Sequence, residues 1–382
     1  MDRHELTRRV KNKAQRLGFQ AVGIAAVSSI PPERLRAWIK RQYHGQMGYM
    51  ERTVEKRLNP RQVLDGALSI VSVALSYYHP GELPDDRPDQ GVISRYAAGD
   101  DYHDLLEAKL EELLGFVKDL VPGVSGKVYV DTGPVLDKWW ASRSGIGWLG
   151  KHTNILAKGG LGSWFFIGEI LLDVELGYDP PGRDHCGSCR RCIEACPTGA
   201  IVQPYLLDSR KCISYLTIEL RGDIPENLRR PMDNLIYGCD ICQDVCPWNR
   251  KAVHSRVGEF APREVNLGPQ LRELARMSVE DFRRAYRGSA IRRTKWRGLM
   301  RNVAIAMGNS GDPEMIPELR ALLNSDEPLV RRHAAWALNE IGGDEALAAI
   351  RQRLELESDP ATSRALSKLL VPVGRQGAIH RG

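Results

Sequence analysis

The chain has 382 residues, of which 42% are hydrophobic and 27% charged, and its formal net charge is +6 at pH 7. This length exceeds a single compact core, so we expect two or three domains, and the composition excludes a disordered or fibrous protein. The mild positive charge permits a polyanionic partner without requiring one. No apolar run approaches the roughly 20 residues that cross a bilayer, and the charged N-terminus lacks the apolar stretch of a signal peptide. We therefore expect a cytoplasmic protein with no membrane partner.

Helical and strand patterns mix in the N-terminal half. Apolar residues recur at helical spacing over residues 7–19 and 102–120. Residues 69–77 alternate as in a β-strand, and the apolar stretch 163–174 predicts one or two buried strands. The proline-rich, acidic segment 80–89 predicts a solvated loop. Together these patterns predict a mixed α/β domain.

A candidate site follows a predicted strand at residues 128–134, whose turn carries the carboxylate of Asp131. On residue type alone, Asp131 fits an Asx-turn or a helix cap as well as a catalytic acid. A glycine-rich stretch at 144–150 precedes Lys151 and His152, for which a solvated lysine and a surface histidine are the default interpretation. No G-x-G-x-x-G follows a strand, so a dinucleotide is not indicated.

All eight cysteines lie between Cys186 and Cys246. The first four follow the spacing C-x2-C-x2-C-x3-C-P of bacterial ferredoxins, in which the fourth cysteine binds the cluster of the other run. A second, less regular run ends with another Cys-Pro pair. The two-cluster rule then divides the cysteines into two sets of four. The first cysteine set consists of Cys186, Cys189, Cys192 and Cys246, and the second cysteine set of Cys196, Cys212, Cys239 and Cys242.

Zinc and disulfides are the alternatives for these cysteines. Pairs of the form C-x2-C also bind zinc, but zinc sites seldom use three cysteines at these spacings with a following proline. Disulfide frameworks belong to small secreted domains, and a chain of this length without an export signal does not fit that class. We therefore expect two [4Fe–4S] clusters that pass single electrons to another group.

A basic stretch follows the cysteines. Residues 271–301 contain ten basic and three acidic residues, and Tyr286 and Trp296 among them are suited to stacking on unpaired bases. This composition predicts a nucleic-acid-binding surface, with a solvated helical face as the alternative. Its candidate contacts are Arg292, Arg293, Lys295 and Arg297.

An internal repeat ends the chain. Residues 301–307 align with residues 332–338 at an offset of 31, and residues 363–366 suggest a third, degenerate copy. Small residues at repeating positions let helix pairs stack closely, as in HEAT-like solenoids, while generic alanine-rich helices are the alternative.

The predicted fold class is therefore an α+β multidomain protein. It has an N-terminal α/β domain, a ferredoxin-like domain with two [4Fe–4S] clusters, and a C-terminal α-helical part with HEAT-like repeats. The predicted boundaries are 1–176, 177–255 and 256–382.

The motifs, in the order in which they occur along the chain, resemble those of the epoxyqueuosine reductases. These are cobalamin- and iron–sulfur-dependent enzymes of tRNA modification. The resemblance spans essentially the whole chain, and the order of the segments is more specific than any one of them. It is carried by residues 55–57, Arg95 with 99–103, residues 130–134, residues 145–151, both cysteine sets and the C-terminal repeat. The motif D-x-H-x-x-G, which supplies a histidine to cobalt, is incomplete after Asp101-x-His103, in agreement with a cobalt that no protein histidine binds.

The resemblance implies an N-terminal cobalamin-binding domain and a specific reaction. The family reduces epoxyqueuosine to queuosine at the wobble position (34) of tRNAs for Asp, Asn, His and Tyr, which carry GUN anticodons. Two electrons and two protons enter and one water leaves. Asp131 matches the family's proton donor, a role that requires a protonated acid near neutral pH, favoured by desolvation against the corrin. The implied cobalamin contacts are Arg57, Ser94, Asp131, Asn154, Ile155, Ser214 and Asp240.

Three other functions were weighed against this one. The function of a corrinoid reductive dehalogenase does not account for a basic segment or for HEAT-like repeats. A ferredoxin-type electron-transfer module needs no acid in a corrin-sized pocket and binds no cobalamin. A pure tRNA-binding scaffold leaves the clusters unexplained. We expect an epoxyqueuosine reductase that receives electrons from an external donor and acts as a monomer.

Overall fold

The computed structural model describes residues 1–79 and 87–371, so the predicted loop at 80–89 falls largely outside the described residues. The strands of the described chain are short, and the longest have eight residues. They are β1 (Ala21–Ala26), β2 (Ser69–Ser76), β3 (Val92–Ile93), β4 (Gly126–Tyr129), β5 (Trp148–Leu149), β6 (Ile155–Leu156), β7 (Phe165–Leu172), β8 (Ile201–Gln203), β9 (Leu206–Leu207) and β10 (Leu235–Tyr237).

The helices are concentrated at the C-terminal end. They are α1 (Arg3–Arg16), α2 (Glu33–Lys40), α3 (Gly48–Arg52), α4 (Val54–Leu58), α5 (Tyr102–Leu120), α6 (Asp137–Arg143), α7 (Arg191–Glu194), α8 (Ile213–Ile218), α9 (Glu226–Arg229), α10 (Ile241–Asp244), α11 (Leu271–Ala275), α12 (Val279–Ala285), α13 (Lys295–Ser310), α14 (Ile316–Leu323), α15 (Pro328–Ile341), α16 (Asp344–Leu356) and α17 (Pro360–Leu370).

The N-terminal part is built on an antiparallel sheet in the order β1-β2-β7-β4. The predicted helix 102–120 is confirmed as α5, and the predicted strands are confirmed as β2 and β7. The helix predicted at 7–19 starts earlier, because Asp2 caps α1 by accepting a hydrogen bond from the amide of Glu5.

Every residue of β2 is buried, although its alternating sequence is typical of a strand with one exposed face. The reason is that helices cover both faces of the sheet. Val71, Val73 and Leu75 pack with α1 and α5 in one core, whereas Ile70 packs with Trp140 of α6 in another.

The cysteine-bearing region is joined to the N-terminal part by a parallel strand pair. β3, from the first 176 residues, pairs with β10, which directly precedes Cys239. Ile93 lies in the same core as Ile236 of this region and Val303 of α13. The boundaries at residues 176 and 255 stay predictions, and this pairing crosses the one at residue 176.

The C-terminal helices stack as the repeat predicts. α13 packs along α15, the two helices that contain the aligned segments. The closest approach is at Gly308, where an added Cβ would lie 2.7 Å from the Cα of Ala337. The small residues Gly308 and Ala337 therefore allow α13 and α15 to stack closely at this crossing.

Arg301, which the sequence grouped with the basic surface, is fully buried. Its guanidinium donates hydrogen bonds to the carbonyls of Leu216 (2.6 Å) and Leu220 (2.8 Å) at the end of α8. Arg301 therefore joins the repeat to the cysteine region and is not part of a nucleic-acid surface. Among the described residues, no helix combines the length and apolar character that crossing a membrane requires.

Candidate active site and cluster-binding region

A cavity of about 1770 Å³ lies between the N-terminal sheet and the cysteine region. Pockets for drug-sized ligands occupy about 300 to 1,000 Å³, so this one has room for a larger cofactor together with a substrate. It is lined by all seven residues predicted to contact cobalamin and by the whole second cysteine set. The seven are Arg57, Ser94, Asp131, Asn154, Ile155, Ser214 and Asp240.

Asp131 stands at the end of β4, in a strained turn. Its φ is 59°, in the left-handed region that costs a non-glycine residue about 1 kcal/mol. The carboxylate is 68% exposed, and its Oδ2 accepts a hydrogen bond from the Tyr102 hydroxyl at 2.8 Å. The protein alone therefore leaves the acid open to the cavity, and any desolvation has to come from what binds there.

His103 and Asp101 form a second layer behind Asp131. The carboxylate of Asp101 accepts hydrogen bonds from the backbone amide of His103 (3.1 Å) and from its Nδ1 (2.7 Å). This fixes the proton of the neutral imidazole on Nδ1 and leaves Nε2 facing Oδ2 of Asp131 at 3.9 Å. Burial alone would raise the pKa of Asp101, but the hydrogen bonds from His103 hold that pKa below its usual value.

A second carboxyl group, that of Asp137, lines the same cavity. Burial raises the pKa of Asp137 to about 7, and the neighbouring charge of Asp131 contributes to the shift. Asp137 can therefore hold a proton near neutral pH. Asp137, Tyr102 and His103 were not predicted as site residues, because nothing in their spacing indicates that they line one cavity.

Ser94 and Asp240 bind each other in the cavity wall. The Ser94 hydroxyl donates to Asp240 at 2.5 Å, and the backbone amide of Arg95 donates to the same carboxylate at 2.8 Å. The Arg95 guanidinium adds ion pairs with Asp240 (3.3 Å) and Asp244 (2.8 Å). These bonds tie the end of β3 to the turn that follows Cys239.

The other predicted contacts come from separate elements. Arg57 in α4 is buried and donates to the carbonyl of Val135 at 2.8 Å, and burial lowers its pKa. Asn154 accepts a hydrogen bond from the Lys138 ammonium at 2.9 Å. Ile155 begins β6, and Ser214 lies in α8 just after Cys212. Their shared position around one cavity supports the predicted contacts, which stay predictions.

Lys151 and His152 are not surface residues, contrary to the default interpretation. Both are buried, and the Lys151 ammonium donates to the carbonyls of Gly187 (2.5 Å) and Cys189 (2.9 Å). Lys151 therefore holds the loop that carries the first cysteine set.

The eight cysteines are unpaired thiols, and several of them lie close to one another. Burial raises the pKa of Cys192 to about 11, with added repulsion from Cys246, Cys186 and Cys189. Burial likewise raises the pKa of Cys239 to about 12, with added repulsion from Cys212 and Cys196. These neighbours belong to the same predicted sets as Cys192 and Cys239, whereas Cys242 of the second set also has Cys192 of the first set nearby.

The two sets differ in their relation to the cavity. All members of the second cysteine set line it, and no member of the first set does. The ligand assignment itself remains a prediction.

Half of the ten basic residues of the predicted basic surface are neutralised within the protein. Five of its arginines pair with acids: Arg272 and Arg276 with Glu318, Arg283 with Glu280, Arg284 with Asp281, and Arg293 with Glu219. Tyr286 is fully buried, and the indole N–H of Trp296 donates to the carbonyl of Met277. The proposed stacking role of Tyr286 was therefore wrong.

What remains of this surface lies near the cavity. Arg292 and Arg293 line the cavity, and both are exposed, as is Lys295. Arg297 is half-buried, with Glu327 at 3.9 Å. Within the described ranges, Arg292 and Lys295 form no ion pair. The basic surface is thus narrower than its sequence suggested.

Comparison with known proteins identifies the parts of the chain. Residues 185–249 match a 4Fe-4S double cluster binding domain, and residues 297–370 match HEAT repeats. Residues 57–132 match the family described as epoxyqueuosine reductase QueG, DUF1730. The cluster domain and the repeats agree with the predicted fold class and with iron–sulfur clusters over zinc.

Full-length relatives agree with these matches. The epoxyqueuosine reductase of Escherichia coli strain K12 is 41% identical over 347 residues, which cover 88% of this chain and 90% of the relative. That of Cellulophaga algicola is 43% identical over 298 residues, 77% of this chain and 95% of the relative. A crystal structure of epoxyqueuosine reductase with a tRNA-Tyr epoxyqueuosine-modified stem loop superposes with a TM-score of 0.90 at 32% identity, covering 96% of this chain and 98% of that one. The chain therefore belongs to the epoxyqueuosine reductase family.

Proposed function

We propose that this chain reduces epoxyqueuosine to queuosine at position 34 of tRNA, with cobalamin and two [4Fe–4S] clusters as its cofactors. The observation that carries the proposal is the single cavity in which the exposed acid Asp131 and the whole second cysteine set meet. One side of the cavity can deliver electrons and the other can deliver a proton. The complete relatives of the same family support this reading.

The cavity wall suits a large corrinoid. Arg57, Asn154 and Ser214 offer polar side chains for the amide groups at a corrin's rim, and Ile155 offers apolar surface to its face. Bound cobalamin would supply a reduced, nucleophilic metal centre that accepts single electrons. The second cysteine set lies in the same wall, so these electrons need not cross bulk solvent.

Asp131 is the proposed proton donor. Opening an epoxide leaves an alkoxide, a poor leaving group that must be protonated before the oxygen departs as water. The Tyr102 hydroxyl orients the Asp131 carboxyl, and His103 lies behind it with Nε2 at 3.9 Å. The reduction consumes two protons, and Asp137, which can be protonated near neutral pH, is a second proton source in the cavity.

The substrate would approach from the side of Arg292, Arg293 and Lys295. An anticodon stem loop places phosphates around its wobble base, and exposed cations at the cavity can bind them. The tRNAs would be those for Asp, Asn, His and Tyr, whose GUN anticodons carry the modification. We place the enzyme in the cytoplasm and propose that it acts as a monomer.

The decisive experiment is an anaerobic assay. Reconstituted protein, cobalamin, a chemical reductant and tRNA bearing epoxyqueuosine are incubated, and the nucleosides are analysed by mass. We expect loss of one oxygen only when cobalamin is present. No conversion by protein that holds both clusters and cobalamin would refute the proposed substrate, and failure to bind cobalamin would refute the proposed cofactor.

Reversing the charge of Arg292 and Lys295 to glutamate should weaken tRNA binding at least tenfold. Each lost phosphate contact should also lower the slope of log K against log salt by about 0.7 to 0.9. The matched control is Arg283→Glu with Arg284→Glu, since both arginines are already paired with acids of their own helix. Filter binding at several salt concentrations measures both effects. Equal losses in the two double variants would show that net charge, and not this surface, governs binding.

A further inference from the structure

A group of exposed cations flanks the first cysteine set along the sequence. Residues 183–194 and 246–256 contain six basic and two acidic residues. The basic ones are Arg183, Arg190, Arg191, Arg250, Lys251 and Arg256, all exposed. Among the described residues only Arg190 has an acid nearby, Glu194 at 3.9 Å. The other acid, Asp184, accepts hydrogen bonds from the amide of Cys186 (2.7 Å) and from the Tyr205 hydroxyl.

An aromatic group lies beside the same cysteines. The indole of Trp248 packs edge-on against Trp148 with 4.8 Å between ring centroids, and His185 lies 4.9 Å from Trp148. Trp148 and Trp248 pack directly with Cys186 and Cys246. A partly exposed apolar centre with a charged rim is the usual anatomy of a protein–protein interface.

This surface lies over the cysteine set that does not line the cavity. In the proposed function, the cofactor and the substrate occupy the cavity that the second cysteine set lines. Electrons from outside would therefore enter at the first cysteine set, which does not line the cavity. A donor that reaches this point must be small enough to approach the loop and must transfer one electron at a time. Six cations around the point of transfer attract a partner that carries negative charge.

We propose that the outer-cluster surface, formed by Arg183, Arg190, Arg191, Arg250, Lys251 and Arg256 around Trp248, docks an acidic one-electron carrier protein. The inference rests on the proposed function, because it takes the first cysteine set to hold a cluster. In each encounter the reduced carrier loses one electron, and the cluster passes from the 2+ to the 1+ state. Two encounters supply the two electrons that one epoxide consumes.

A transient contact of this kind needs little buried area. Weak redox complexes bury less than about 1,200 Å² and depend on charge steering rather than on extensive packing. RNA is the other class of macromolecule that could bind the cations of this surface. It is less favoured here, because the wobble nucleoside must enter the cavity that the first cysteine set does not line.

The test measures cluster reduction without tRNA. Full-length reconstituted protein is mixed anaerobically with a reduced plant-type [2Fe–2S] ferredoxin, a small acidic carrier, and bleaching of the [4Fe–4S] absorbance is followed by stopped flow. One variant carries Arg190→Glu and Arg191→Glu. A second variant carries Arg250→Glu and Lys251→Glu, and these two residues lie outside the C-x2-C run. The matched control is Arg351→Glu with Arg364→Glu, two exposed arginines of α16 and α17.

At low ionic strength we expect both outer-cluster variants to be reduced at least tenfold more slowly than wild type, with the control within twofold. The difference should shrink above about 0.15 M salt, where charges are screened. Reduced methyl viologen, a small cation without a docking site, should reduce the variants as fast as wild type or faster. Iron content verifies that the clusters are intact.

Unchanged ferredoxin rates in both outer-cluster variants would overturn the proposal, as would an equal loss in the control. If the ferredoxin rate is unchanged but a separate filter-binding measurement shows weaker tRNA binding by the same variants, the surface is assigned to RNA instead. Because the assay contains no tRNA and no cobalamin, failure of the epoxide reduction itself would leave its result unaffected.

Discussion

Replacing Asp131 with asparagine is expected to lower turnover by about 10² to 10⁴-fold, the usual contribution of a general acid. The amide keeps the shape of the side chain and can still accept the hydrogen bond from Tyr102, but it has no proton to give to an alkoxide. Single-turnover conversion of epoxyqueuosine, followed by nucleoside mass analysis, measures the loss.

Two controls make this result specific. Iron content and cobalamin-induced absorbance should be unchanged in the variant, because Asp131 is an exposed side chain and its removal leaves no gap in a core. Asp104→Asn removes another exposed carboxylate from the same cavity and should have little effect. Near-normal activity of Asp131→Asn would remove this residue from the mechanism.

Replacing Cys212 with alanine should remove one cluster and abolish turnover. Cys212 caps α8 and lies beside Cys196, Cys239 and Cys242, so its loss leaves three thiolates for one cubane. Iron should fall from about eight to about four atoms per chain, since each [4Fe–4S] cluster holds four. Iron analysis and the electron paramagnetic resonance spectrum of the reduced protein measure the change. A variant that retains all its iron would show that Cys212 is not a ligand.

The matched variant Cys186→Ala tests the order of the two sets. It should also lose half of the iron, but from the set that does not line the cavity. A small chemical reductant can then still reach the second set, so this variant should retain turnover with that reductant while Cys212→Ala does not. Equal inactivity of the two variants would contradict the inferred path of electrons.

Local patterns in the sequence predicted much of the fold. The helix at 102–120 and the strands at 69–77 and 163–174 are present, because hydrophobic periodicity reports which face of an element is buried. The cysteine spacing predicted two clusters, and residues 185–249 match a 4Fe-4S double cluster binding domain. The repeat predicted the stacking of α13 on α15 for the same reason, as small residues recur at its crossing.

Other features could not be read from the sequence. The count of basic residues in 271–301 overstated the nucleic-acid surface, because acids from elsewhere, such as Glu219 and Glu318, neutralise several arginines. Arg301 and Lys151 looked solvated but are buried donors to carbonyls of distant loops. Each of these outcomes depends on a partner more than 30 residues away.

The sequence by itself determined the family and predicted the two cysteine sets and the acid Asp131, because motif spacing and local periodicity are properties of neighbouring residues. Only the tertiary structure decided that Tyr102 and His103 back that acid, that Asp137 shares its cavity, and that one cysteine set faces the cavity while the other underlies a cationic surface. The physical reason is that burial, hydrogen bonding and charge compensation arise from contacts between distant segments, which spacing along the chain does not encode.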